Sequence, residues 1–188
     1  MSNIKRIIVD LTPPKKRDEE NMDAEPDEPI PKAPKKRSVT KQDSWQFSSS
    51  DLSSTHQLAY ITQLHANEIA AAQPCKVILQ HISQKLNGYK SQDIKKGLYD
   101  PTKFVDVNYV VKLLKDSANI CYYCRESVQV LYENVREPKQ WSLDRIFNDN
   151  GHNKENVVIA CLSCNVNRKT MYHERYAFTK QLVIVKQN

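Results

Sequence analysis

Two short stretches of identical spacing, Cys121-Tyr122-Tyr123-Cys124 and Cys161-Leu162-Ser163-Cys164, constrain this chain more than any other feature. A C-x-x-C turn aims two thiolates at one point, and two such turns close a tetrahedral four-thiolate site of the kind zinc takes. Thirty-six residues separate the pairs. A unit that small holds little core of its own, so the ion is expected to stitch its ends together. The competing reading, a thioredoxin-like redox couple, needs a βαβ setting that neither pair has. The remaining cysteine, Cys75, follows Pro74 before a helical segment and reads as an ordinary buried thiol. An odd cysteine count behind a charged N-terminus points to an intracellular, reducing compartment.

The rest of the chain organises around that unit. Residues 1–55 read as a disordered charged tail: the stretch 10–55 holds six of the nine prolines, few aromatics and dense mixed charge. It carries Pro-Lys-Lys-Arg twice, at 14–17 and 34–37, which reads either as nuclear-import or phosphate-seeking signals or as a solvated linker. Residues 56–118 read as a helical region. The apolar spacing predicts helices over 57–73, ended by Pro74, over 76–86, stopped by Asn87-Gly88, and over 106–117. His81 falls on the buried face of the second helix as a core histidine. Residues 119–188 are the zinc module, closed by a β-type run at 181–186. No apolar run of about 18 residues occurs, so no membrane span is expected. Three glycines argue against a turn-dense β fold, and the fold class is α+β.

Between the cysteine pairs the sequence predicts strands at 128–134 and 141–145, a polar turn at 148–153, and an apolar return at 156–160. A helix is expected to open at Asn165. On these residues, "WSLDR…NGHNKENVVIACLSCN", preceded by Gln92-Asp93-Ile94-Lys95-Lys96, the chain resembles HNH (ββα-metal) endonucleases. Its pattern is similar to the zinc-binding, endonuclease VII-like branch, which also occurs in large DNA viruses of eukaryotes. The resemblance covers about residues 88–172.

That resemblance implies a β-hairpin packed on a helix, gripping Mg²⁺ or Mn²⁺ against a DNA phosphate beside the structural Zn²⁺. Carried over, Asp144 and Asn165 are the Mg/Mn ligands, and Asn156 fixes the loop by side-chain hydrogen bonds. The chemistry is coherent, because a hard cation held by oxygen ligands stabilises the charge that develops when a phosphodiester is cleaved. The sequence departs from the family where a histidine base normally follows the Asp. Arg145 stands there, and an arginine stays protonated near neutral pH. His152 is the nearest substitute base, and Phe147 lies close to the place of a second family histidine.

Three readings therefore stand side by side. The first is a metal-dependent DNA endonuclease, acting on branched or recombination DNA, in the nucleus or at a viral replication site. The second is an inactive HNH-derived DNA-binding protein, and the third is a zinc finger for protein partners. Lys95, Lys96, Arg168 and Lys169 are expected to meet the DNA backbone. Tyr122, Tyr123, Tyr172 and Tyr176 read either as stacking platforms for unpaired bases or as core around the zinc. His173 is placed on the surface of the last helix. The closing run at 181–186 reads either as pairing with another strand of the chain or as pairing with a second subunit in a homodimer, since resolving enzymes of that branch act as dimers.

Overall fold

The computed structural model describes residues 33–41, 45–66 and 73–182. The copy of Pro-Lys-Lys-Arg at 14–17 and the run 183–186 lie outside the described residues. Those from Pro34 onward belong to one compact unit. No described helix is long and apolar enough to cross a membrane.

Helix α1 (Ser54–His65) starts where Ser53, in extended backbone, accepts a hydrogen bond from the His56 N–H. Its Gln57 is fully buried. The Gln57 amide oxygen accepts from the backbone N–H groups of Val130 (2.6 Å) and Leu131 (2.9 Å). That is why 128–134 is not the strand its composition predicts. Those N–H groups meet a side chain rather than a neighbouring strand, and only single bridges form there, such as Gln129 with Gln140.

Helix α2 (Gln73–Lys96) carries Pro74 in its first turn, where a missing N–H costs nothing. The predicted stop at Asn87-Gly88 is overridden. The helix continues to Lys96 and ends on Gly97, whose φ of +68° is the left-handed conformation glycine tolerates. Tertiary contacts beyond Gly88 explain the difference. Tyr89 Oη accepts the Leu143 N–H (3.1 Å), and Asp93 is fully buried against His152. Helix α3 (Val107–Asp116) is capped by Asp106 and buries Val110, Val111 and Leu114.

Strands β1 (Trp141–Arg145) and β2 (Val157–Cys161) form a two-stranded antiparallel sheet, pairing Trp141 with Cys161 and Arg145 with Val157. Helix α4 (Leu162–Arg168) follows β2 without a linker, and α5 (His173–Gln181) closes the described chain. The architecture is therefore mixed, α+β. Ile61, Ile78, Ile82, Val110 and Leu114 share one core with Trp141, Leu143 and Ile159.

Part of the stretch expected to be a disordered tail is packed. The Lys36 backbone bridges to Asn134, and the Arg37 guanidinium lies 4.2 Å over the Tyr132 ring and donates to the Tyr132 carbonyl (3.2 Å). Composition alone did not anticipate that a single arginine would find both an aromatic face and a carbonyl.

Arg37 Nη2 also approaches His81 Nε2 (3.4 Å). Burial, with Arg37 and Lys85 nearby, pushes the His81 imidazole down to about 4. The unfolded chain takes up that proton near pH 6.5, whereas the folded chain resists until about pH 4. Folding is then fully favoured above pH 6.5 and loses on the order of 2–3 kcal/mol as pH falls to 4. Chemical denaturation of His81→Gln beside the wild type at a series of pH values checks this. The variant should show a flatter loss over that window.

Candidate metal centre and adjoining cleft

The first cysteine knuckle sits at the end of α3 and is tied to β2 by a Tyr122 N–H donating to the Ile159 carbonyl (2.8 Å). The second joins β2 to α4, with Cys161 as the N-cap whose sulfur accepts the Cys164 N–H (3.3 Å). Together they bring Cys121, Cys124, Cys161 and Cys164 to one place, with all four Sγ atoms within 4.8 Å of one another. The Cys124–Cys161 separation is 4.0 Å, close to the ~3.8 Å edge of a tetrahedron with Zn–S bonds of about 2.3 Å. It is far beyond a disulfide bond, and all four thiols are free.

Four sulfurs this close cannot all ionise unaided. A hydrogen bond from the Cys161 thiol pulls Cys121 down to about 5, while burial, then the charge on Cys121, pushes Cys164 up to about 11. A divalent cation at the centre removes that conflict. The four cysteines can hold a metal ion such as zinc.

The knuckle reaches the second feature through Tyr123, which is fully buried and donates from Oη to Asp144 Oδ2 (2.6 Å). Burial and that contact push the Tyr123 phenol up, so it stays a donor. Asp144, at the penultimate position of β1, also receives Arg168 Nε on Oδ2 (2.6 Å) and Arg168 Nη2 on Oδ1 (2.9 Å). Arg168 is itself buried and donates further to the Met171 and Arg145 carbonyls and to Asn148 Oδ1. Arg168 is thus an internal strut, not the surface phosphate contact expected from sequence. Lys169, Lys95 and Lys96 are exposed.

Beside this strut lies a cleft of about 440 Å³ lined by Asp144, Asn165, His152, Arg145, Lys85 and Lys169, among others. Asn165, in α4, spends its amide nitrogen on Ser142 Oγ and the Leu143 carbonyl (3.1 Å each), and no group among the described residues donates to its amide oxygen. Arg145 Nη1 donates to the Asn148 and Asn150 carbonyls and braces the loop. Asn156 is also bound into that loop: Nδ2 donates to the Phe147 and Gly151 carbonyls, and Oδ1 accepts the Phe147 N–H (3.0 Å).

His152 is buried, and Asp93 holds it twice, through the His152 backbone N–H (2.6 Å) and ring Nδ1 (2.9 Å). Tyr89 stacks on the ring at 4.4 Å. Gly151 allows this approach, because a Cβ there would press on the Leu98 carbonyl and stand 2.9 Å from Asp93 Oδ2. Burial holds His152 below the usual histidine range against the pull of Asp93, so the ring is neutral at pH 7, and Nε2 has no hydrogen-bond partner among the described residues.

Asp93 was visible in the sequence only as part of a motif. A readable signal existed, since a carboxylate in helical phase with Ile82, Leu86 and Tyr89 must find a buried partner. Lys85 gave no such signal. It lies 4.8 Å over the Trp141 ring and donates to the Trp141 carbonyl and to Gln140 Oε1, and burial brings its ammonium down to about 7.

Asp144 and Asn165, which the resemblance implies as Mg²⁺ or Mn²⁺ ligands, line one cleft. Asp144 Oδ1 accepts only one of the hydrogen bonds to its carboxylate, so a lone pair is left there, and the Asn165 amide oxygen lines the same cleft. Magnesium sites commonly use one or two protein oxygens and complete their shell with water and phosphate. The tyrosines divide. Tyr123 and Tyr176 are core and Tyr122 is half-buried, whereas Tyr172 is 52% exposed. His173, expected on the surface, is buried among Tyr122, Phe147 and Tyr172. Comparison with protein-family models, curated proteins and solved structures finds no match.

Proposed function

We propose that the cleft binds a DNA phosphodiester and hydrolyses it with a divalent ion, as the HNH enzymes that the sequence resembles do. One observation supports this above the others. A neutral histidine backed by a buried carboxylate opens on the same cleft as Asp144 and the Asn165 amide oxygen. In this reading Asp93 accepts the Nδ1 proton, fixes the tautomer and leaves Nε2 to take a proton from water. That supplies the base that Arg145 cannot be. Arg145 holds the loop, and the exposed Lys169 attracts the phosphate. Asp144 and Asn165 hold the ion, which supplies charge stabilisation at the phosphate.

In a Mg²⁺ or Mn²⁺ assay on linear and branched DNA, His152→Ala is expected to lower the cleavage rate by about 10²–10⁴-fold with DNA affinity little changed. Asp93→Asn should give a smaller loss and a displaced pH profile. Equal rates for the wild type and His152→Ala would remove His152 from the chemistry.

A second reading is favoured by the pairing of Asp144 with Arg168. A carboxylate neutralised in this way suits a DNA-binding module that no longer cuts. Tight DNA binding without cleavage in either metal would select it.

A further inference from the structure

Tyr176, in α5, is 5% exposed, and its hydroxyl oxygen is buried with no hydrogen-bond partner among the described residues. A buried phenol normally finds an acceptor. The Tyr176 ring packs edge-on against Tyr123, with centroids 5.0 Å apart, and Tyr123 stands between Cys121 and Cys124. Burial pushes the Tyr176 phenol up, and so does the charge of the Cys164 sulfur, followed by those of Cys161 and Cys121. The hydroxyl therefore ends among the sulfurs of the metal centre, beside Cys164.

The chemistry of that centre says what the hydroxyl is for. Four thiolates on one divalent ion leave net negative charge inside the protein, and buried charge needs hydrogen-bond donors around it. The backbone supplies some of them. The Cys164 N–H donates to the Cys161 sulfur (3.3 Å), and the N–H groups of Tyr123 and Cys124 face the Cys121 sulfur. A thiol is a weak acceptor, whereas a hydrogen bond to an ionised acceptor is short and strong. An orphaned O–H beside Cys164 is thus matched to a metal-bound thiolate.

The same helix is tied to the first knuckle from its other end. Gln181 Nε2 donates to the Tyr123 carbonyl (2.9 Å) and to the Tyr122 carbonyl (3.3 Å). We propose that the Tyr176 hydroxyl donates to the Cys164 thiolate of the loaded metal centre, and that α5 is a clasp across both knuckles that slows release of the ion. Tyr176 is then a positioning residue of the metal centre, and Gln181 holds the clasp shut.

The test uses the full chain loaded with Zn²⁺ and, separately, with Co²⁺, whose sulfur-to-metal charge-transfer band reports on the thiolate electrons. Tyr176→Phe keeps the packed ring and removes only the hydroxyl. Its cobalt band is expected at longer wavelength than that of the wild type, because a hydrogen bond stabilises the sulfur electrons that the band promotes. Its zinc affinity, measured by competition with a chromophoric chelator, is expected to fall about 10-fold, with faster release of the ion. Gln181→Ala should also speed release but leave the cobalt band in place, because Gln181 bonds to carbonyls and not to sulfur. Gln181 is exposed, so this second variant reads the clasp even if the buried substitution unfolds the protein.

An unshifted cobalt band in Tyr176→Phe would overturn the hydrogen bond to sulfur, whatever the affinity does. Zinc release at the wild-type rate from Gln181→Ala would overturn the clasp. Both readouts are taken without DNA, so neither depends on what the adjoining cleft binds.

Discussion

Stripping the metal from the four cysteines is expected to unfold the C-terminal part of the protein. The second knuckle sits where β2 becomes α4, and its Cys161 sulfur is the N-cap of that helix. The first knuckle holds Tyr123 in place, and Tyr123 holds Asp144. Between the knuckles there is one short hairpin and little else regular. Structural zinc sites of this kind contribute roughly 10–16 kcal/mol of binding free energy that is also folding free energy. That is as large as the total stability of a typical domain, about 5–15 kcal/mol. A chelator strong enough to compete should therefore abolish the cooperative thermal transition seen by circular dichroism, and added Zn²⁺ should restore it. Cys161→Ser should behave like the stripped protein even with zinc present. An unchanged transition after metal analysis shows complete removal would mean that the fold does not depend on the ion.

The second large effect concerns the Asp144–Arg168 pair. Both side chains are almost wholly buried, so removing one leaves an unpaired charge inside the protein. Arg168→Met is expected to cost about 3–5 kcal/mol. Arg168→Lys should be nearly as damaging, because a point ammonium cannot make the forked contact with both carboxylate oxygens. The double variant Asp144→Leu, Arg168→Met should recover much of the loss, since it removes both charges at once. A double-mutant cycle from denaturant unfolding reads this directly, and additive costs would show that the two side chains do not act as a pair.

How much of this was legible depended on how local the determinant is. The cysteine spacing predicts the thiolate cluster because each knuckle is a local turn and tetrahedral geometry does the rest. The hairpin was legible for the same reason: 141–145 alternates apolar and polar residues and 157–161 is an apolar run, with a polar turn between them, whereas the following helix opens at Leu162, before the expected Asn165. Helix α2 was misread at Asn87-Gly88 because a strong local stop lost to distant partners, with Tyr89 bound to Leu143 and Asp93 bound to His152. The 128–134 segment was misread because Gln57, more than 70 residues earlier, takes its N–H groups. Arg168 was read as a surface cation because nothing in its neighbours reveals that Asp144 lies across from it. His173 was placed on the surface from its position in a polar helix, and the aromatic rings that bury it come from three separate segments. In each case a side chain from outside the local window supplied the missing hydrogen bond or covering surface.

Single-turnover cleavage of end-labelled DNA by the zinc-loaded chain tests the central claim most directly, with Asp144→Asn purified in parallel. The variant leaves the buried Arg168 without its charge partner, so the two preparations are compared at a temperature where circular dichroism shows both folded. Mg²⁺- or Mn²⁺-dependent cleavage by the wild type that falls by about 10²-fold or more in the variant is the expected result. Cleavage at the same rate in both preparations, or none by a wild-type protein that binds the DNA, would contradict a metal-dependent hydrolytic site built on Asp144.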